Sequence, residues 1–396
     1  MVIWINSNLM QRKHQNLYKQ NKLELFQIKT PVVSMLRSIS YIATSIDHCL
    51  MEKKVSIKDI AKQLGISIST VSFVVNGKAR EKRISVELTQ RVLALVEELG
   101  YKPDALARSF RTGKTNIIGF LVDDISRPFF SNLARFIDEK AAKNGYKIIY
   151  SSTRGSKKKA IELLQIFQDR HVDGYIIALP EGLETEVGAL TESRKPVVLF
   201  DRYFKELNTD YVVINNEEST HKATCHLVDN GYQNIGFVTI DTIEQQMLDR
   251  LKGYEDAVAQ AGLVPSILKI NYIKAATGLP AIIDYLTEQK QLDAVIFSAN
   301  YLCMDGLRAI RHLERNIPDD LAVLSFDDFE LLEFISPTIT AIAQPLEEIA
   351  ENIMTILMHK LNNPRTVHEY SQIILPTAMT LRQSTAKKRS IKKTAC

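Results

Sequence analysis

Between residues 117 and 326, short β-branched runs alternate with amphipathic stretches of helical period, which limits the fold more than any other feature. Strands are expected at 117–122, 147–152, 172–178, 196–200, 211–214, 234–240, 267–271, 293–298 and 321–326. Helices are expected at about 129–144, 157–170, 217–230, 247–262, 276–289, 302–315 and 346–361. Such alternation builds parallel sheets with helices on both faces, the α/β class. Asn116-Ile117-Ile118-Gly119-Phe120 recurs as Asn234-Ile235-Gly236-Phe237, each opening a strand and then a helix. Two similar lobes are therefore expected, one starting near 115 and one near 215.

A different pattern precedes residue 115. Ser56-Ile57-Lys58-Asp59 reads as a helix start, with Ser as N-cap and an acid three positions on. Ile57, Ile60, Ala61 and Leu64 then lie on one face, and Gly65 stops the helix. Ser67 can cap a second helix that buries Val71 and Val74 or Val75, so the pair reads as a helix-turn-helix. A third helix spans about 85–99, with Ser85 as cap, Leu88, Val92, Leu95, Val96 and Leu99 as its stripe, and Gly100 past its end. A three-helix bundle binding nothing would show the same stripes, so charge has to decide.

The net charge of +4 hides a split. Residues 51–114 carry thirteen Lys/Arg and seven acids, a net +6, whereas 115–386 carry 26 and 37, a net −11. A basic module on an acidic body is what a chain meeting a polyanion at one end needs.

These residues carry a family resemblance. Val55-Ser56-Ile57-Lys58-Asp59-Ile60-Ala61, Gly65-Ile66-Ser67-Ile68-Ser69-Thr70-Val71-Ser72 and Asn76-Gly77 resemble the headpiece of LacI/GalR-family transcriptional regulators. Gly100-Tyr101-Lys102-Pro103, Ala105-Leu106-Ala107-Arg108-Ser109-Phe110-Arg111-Thr112-Gly113 and Asp124-Ile125-Ser126-Arg127-Pro128-Phe129-Phe130 extend it, collinear from about 54 to 384. The resemblance implies a small all-α headpiece followed by a two-lobed periplasmic-binding-protein-like core. It implies DNA-binding positions at Ser67, Ile68, Ser69, Thr70, Ser72, Phe73 and Asn76, and in the hinge at Arg108, Phe110 and Arg111. Lys78, Arg80 and Arg83, in a loop longer than the family's usual linker, most simply contact phosphates.

Three departures stand out. Phe73 occupies a position where the family often has Arg, and Ile68 and Ser69 stand where side chains usually read base edges. Bidentate donors to guanine or adenine are thus missing, although Ile68 suits a thymine methyl. Phe110 replaces the usual hinge Leu, which in the family wedges into the minor groove; a flat ring suits that role.

In doubly wound sheets the ligand lies beyond the carboxyl ends of the strands. By resemblance, Phe129, Phe130, Asp201, Arg202, Arg250, Asn300, Asp327 and Gln344 align with effector-pocket positions, Arg250 opening a helix of the second lobe. An aromatic face with paired Arg and Asp suits a polar ring. Tyr301 follows Asn300 where the family commonly has Asp, which leaves the ligand class open.

Other function classes find little support. Gly113-Lys114-Thr115 lacks the glycine a phosphate-binding loop needs five residues earlier, where Arg108 stands. No metalloprotease, nucleophile-elbow or dinucleotide motif occurs, so a sugar kinase or hydrolase has no chemistry to run, and no catalytic residue, metal or cofactor is expected. An exported solute-binding protein would need a secretion signal leading directly into the first lobe. No uncharged apolar run reaches about 18 residues, so no membrane span is expected. Four dispersed cysteines fit a reducing, cytoplasmic compartment.

The expected organisation is a helix-turn-helix domain at 51–103, a hinge helix and linker at 104–114, and an effector-binding and dimerisation domain at 115–384. Chain crossovers between lobes fall near 214, 343 and 374, and a basic tail spans 385–396. Residues 1–50 read either as untranslated, with Met51 the natural start, or as a poorly ordered extension. The reading is a ligand-responsive, sequence-specific transcriptional regulator, a repressor and homodimer. Its partners are double-stranded operator DNA and a small-molecule effector, a sugar or related metabolite.

Overall fold

The first helix forms because its ends are satisfied locally. In α1 (Ile57–Leu64) the Ser56 Oγ accepts from the Asp59 amide while the Asp59 carboxylate accepts from the Ser56 amide. This reciprocal cap typically contributes about 1 kcal/mol. Gly65 at φ +66° ends the helix in a left-handed conformation that a side chain would strain. Ser67 Oγ then caps α2 (Ile68–Val75), and Ser85 Oγ caps α3 (Val86–Glu98). Ile60, Ala61, Val71, Val74, Val92 and Leu95 are buried between the three helices. These are the stripes read from the sequence.

The structure is a computed structural model that describes residues 55–101, 113–178, 182–271, 278–364 and 369–388. The chain divides into two compact units after Asp104. The extension 1–50, the hinge with Arg108, Phe110 and Arg111, and most of the basic tail lie outside the described residues.

The second unit holds two six-stranded sheets. The first lobe contains β1 (Ile117–Val122), α4 (Pro128–Lys143), β2 (Lys147–Ser152), α5 (Lys157–Asp169), β3 (Gly174–Ile177), α6 (Glu184–Glu192), β4 (Val197–Phe200) and β5 (Asp210–Ile214). The second contains α7 (Asn216–Asp229), β6 (Ile235–Ile240), α8 (Gln245–Gln260), β7 (Ser266–Ile270), α9 (Gly278–Glu288) and β8 (Ala294–Phe297). It continues through α10 (Asn300–His312), β9 (Ala322–Phe326), the short α11 (Leu331–Phe334) and β10 (Thr340–Ala343). The chain then returns to the first lobe as α12 (Leu346–Asn362) and β11 (Gln372–Leu375), and ends on the second with β12 (Ala378–Thr380).

The strand orders are β11-β5-β4-β3-β1-β2 and β12-β10-β9-β8-β6-β7, the same winding twice. The duplication hinted at by the repeated Asn-Ile motif is therefore structural. Every pairing is parallel except β10–β12, which runs antiparallel at one edge. The chain passes between sheets after Ile214, Ala343 and Leu375.

The alternation pattern missed α6, α11, β10, β11 and β12. These elements are short, and those at a sheet edge are patchily buried: β11 is exposed at Gln372 and Ile374. Periodicity needs more residues than these provide.

Candidate nucleic-acid interface and inter-lobe cleft

The helical unit exposes the start of α2. Ser67, Ile68 and Ser69 are exposed, with Ile68 at 46%. The Ser67 hydroxyl shares hydrogen bonds with Ser69 Oγ and Thr70 Oγ1, both at 2.8 Å. Ser72 and Asn76 are partly buried, and the Asn76 amide donates to the Ser72 carbonyl at 2.6 Å, closing the helix end. Phe73 lies under the Lys82 ammonium, 5.5 Å from its ring centre. Lys78, Arg80 and Arg83 are exposed on the following loop. This face has a positive rim and a centre of methyl and hydroxyl groups.

In the two-lobed unit, charged side chains collect at the carboxyl ends of the strands, as the winding requires. Arg250 is the most deeply set, at 3% exposure. It lies in the second turn of α8, since that helix begins at Gln245 rather than at Arg250. Its Nε donates to Asn216 Oδ1 at 2.8 Å, its Nη1 donates to the Ser298 carbonyl at 2.7 Å, and its plane covers Phe326 at 3.6 Å.

Gly253 explains how α8 comes so close to α7: a Cβ there would lie 2.1 Å from the Glu217 carbonyl oxygen. The glycine lets the helix backbones approach until Arg250 reaches Asn216.

Asp327 follows β9 at φ +69° and accepts from Gln344 Nε2 at 2.6 Å and from the Asn300 amide at 3.4 Å. Burial raises its pKa above the ordinary carboxylate value and outweighs the nearby Arg250 charge and the Gln344 bond. Across the cleft, Arg202 pairs with Glu244 of the other lobe and with Asp201 at 3.3 Å. Burial works against the Arg202 charge, but Glu244 and Asp201 together raise its pKa. Arg127, bonded to Asp123 at 3.1 Å, covers the Tyr301 ring at 4.4 Å, a second link between lobes. Burial also drives the Tyr301 phenol pKa upward.

A cavity of about 360 Å³ opens beside these groups, lined among others by Asp201, Arg202, Asn216, Gln246, Asp249 and His221. Gln246 is 5% exposed; its Nε2 donates to Glu244 at 3.0 Å, but its Oε1 is buried with no hydrogen-bond partner among the described residues. The Ser298 hydroxyl, fully buried next to the carbonyl that holds Arg250, has none either. Buried polar atoms are nearly always paired, so the Gln246 oxygen on the cavity wall and the Ser298 hydroxyl beside Arg250 leave bonding capacity unused.

Of the eight expected pocket residues, Asp201 and Arg202 line this cavity and Arg250 stands behind it through Asn216. Asn300, Asp327 and Gln344 form one hydrogen-bonded group. Phe129 packs its edge on Phe130 at 5.0 Å, and Phe130, 4% exposed, sits in the core against Phe200.

Sequence reading missed Asn216, Glu244 and Gln246. Asn216 follows directly on a crossover strand, a signal that was available; nothing in the sequence marks Glu244 or Gln246. Among the described residues no group of His, Cys, Asp and Glu is arranged to hold a metal, and no helix is long and apolar enough to cross a membrane.

Residues 56–104 match the description "Bacterial regulatory proteins, lacI family", and residues 224–385 match "Periplasmic binding protein-like domain". The ribose operon repressor of Haemophilus influenzae is 30% identical over 331 residues, covering 83% of this chain and 98% of that protein. Catabolite control protein A of Priestia megaterium is 31% identical over 338 residues, covering 84% and 99%. A solved LacI-family transcriptional regulator from Enterococcus faecium with bound ribose superimposes with a TM-score of 0.61 at 25% identity, covering 69% of this chain and all of that one.

Proposed function

The chain belongs to the lacI family of bacterial regulatory proteins, DNA-binding transcriptional regulators, and on that premise we propose a repressor governed by a small polyhydroxylated effector. The effector, a sugar or related metabolite, sits between the lobes among Asp201, Arg202, Arg250, Asn300, Asp327 and Gln344. The single observation that carries this reading is the pair of orphaned buried atoms, Gln246 Oε1 and Ser298 Oγ, beside Arg250. Sugar hydroxyls both donate and accept, so one ring can satisfy both atoms while the cleft walls exclude water. The ribose named in the relatives above supports that class.

The helical unit, residues 51–103, takes the operator, with the loop cations on phosphates. Ile68 and Ser69 touch bases by contact rather than by bidentate bonds. Residues 104–114 form the hinge, where Arg108, Phe110 and Arg111 engage the minor groove, and residues 115–384 bind effector and pair two copies into a homodimer. Effector shifts the angle between lobes by its differential affinity for the two states. The protein acts in the cytoplasm and is no enzyme.

Genomic fragments captured by the full-length protein, with and without D-ribose and a panel of other sugars, test the whole reading. One sugar should release or strengthen a discrete set of fragments. Fragments that ignore every sugar, together with no heat of binding for any, would remove the effector assignment.

A further inference from the structure

A second cavity, of about 560 Å³, lies at the opposite end of the first-lobe sheet, where strands begin rather than end. Pro196 and Val197 start β4 there, Thr209 and Asp210 start β5, and the last turn of α12 closes one side. Four to six residues of strand at roughly 3.3 Å each separate this end from the inter-lobe cleft, some 13–20 Å.

Its lining carries the cations Lys114, Arg194, Lys195 and Lys360 against the carboxylates Asp173 and Asp210. Both carboxylates are engaged by the frame. Asp173 accepts from the Thr115 and Asn116 amides at 3.0 and 2.8 Å and from the Thr115 hydroxyl at 3.1 Å. Asp210 accepts from Lys360 Nζ and from the Ser371 amide at 2.9 Å. Lys114 donates to the Leu361 carbonyl at 3.1 Å. Arg194 and Lys195 are exposed and bonded to no carboxylate of the described residues. Thr209, at 1% exposure, has a hydroxyl with no hydrogen-bond partner among the described residues.

We propose that this cavity is an anion site that takes the phosphate group of a small phosphorylated metabolite, separate from the sugar cleft. A phosphate ester brings close to two negative charges and three acceptor oxygens, which matches two free cations and an idle hydroxyl donor. A concave site reaching a buried hydroxyl fits a small molecule better than a duplex backbone, which side chains meet by projecting outward. Lys114, the last residue of the 104–114 hinge and linker, also lines the cavity.

The test is calorimetric titration of the full-length protein without DNA, using inorganic phosphate and ribose 5-phosphate as probes and sulfate as control. Ribose 5-phosphate should bind more tightly than inorganic phosphate, and both more tightly than sulfate. The double variant R194A/K195A should weaken both phosphates about tenfold or more, a loss of about 1.4 kcal/mol. Thr209→Val should weaken them several-fold while leaving the melting temperature unchanged or higher, because no hydrogen bond is lost. Arg250→Ala should leave inorganic phosphate binding intact.

Phosphate binding indifferent to R194A/K195A, or lost on Arg250→Ala, would overturn the assignment. So would sulfate binding as tightly as the ester, which signals an adventitious ion only. Displacement of phosphate by a short non-operator duplex, with no preference for the ester, would assign the patch to DNA backbone instead.

Discussion

The exposed face of α2 and the inter-lobe cleft are built on opposite principles. At Ser67–Asn76 the polar groups are short and bonded to their own helix, through Ser67, Ser69 and Thr70 at one end and Asn76 at the other. In the cleft, long charged side chains reach partners tens of residues away in sequence, and two polar atoms find no partner among the described residues. The contrast teaches where discrimination resides. On the function proposed above, a face of methyls and hydroxyls rimmed by Lys78, Arg80 and Arg83 draws its affinity from phosphates. On the same proposal, a cleft holding Arg250 and two orphaned atoms draws it from one ligand's hydrogen bonds.

The strongest challenge to this contrast is salt. DNA affinity should fall about 10³–10⁵-fold between roughly 50 and 200 mM salt for 6–10 phosphate contacts, while effector affinity barely moves. Parallel titrations by fluorescence anisotropy and calorimetry read both, and a flat DNA curve breaks the comparison. Next comes Arg250→Ala, which strands Asn216 and removes the cation beside the cavity. Effector affinity should drop by about 2–5 kcal/mol, roughly 30- to 4,000-fold, with DNA binding unchanged. Wild-type response in that variant moves the pocket elsewhere.

Gly253→Ala is subtler, since it touches no ligand. Its Cβ would push α8 off α7 and cost about 1–3 kcal/mol of stability, lowering effector affinity as Arg250 leaves Asn216. A urea melt together with calorimetry separates the two effects. Ser56→Ala should cost the helical unit about 1 kcal/mol and leave the cleft untouched, measured as a shift in its denaturant midpoint.

The smallest effect is a slope. Because burial raises the Asp327 pKa, the folded state holds its proton where the unfolded state has lost it. Stability therefore falls as pH rises above about 4, until the folded pKa is passed. Asp327→Asn should flatten that decline in urea melts run from acid to neutral pH; an unchanged slope assigns it to another group.

Legibility followed the range of the interactions involved. The caps Ser56, Ser67 and Ser85 were readable because each satisfies an amide three residues away. The long strands and helices were readable because periods of 2 and 3.6 repeat within them. Asp201 and Arg202 were placed beside the cavity because strand ends are where a doubly wound sheet leaves room. The family resemblance aligned Phe130 with the effector pocket; the structure packs its ring edge-on against Phe200, a contact set by tertiary packing.

The sequence by itself determined the helical unit and the repeated winding, since local hydrogen bonds and burial periodicity are written into consecutive residues, and its motifs carried the family resemblance. Only the tertiary structure decided that Arg202 meets Glu244, that Arg127 covers Tyr301, and that Gln246 Oε1 and Ser298 Oγ find no partner among the described residues. Those outcomes depend on how two sheets and the crossover helices bring distant side chains within hydrogen-bond range. That distance is fixed by close contacts such as Gly253 against Glu217, which no periodicity records.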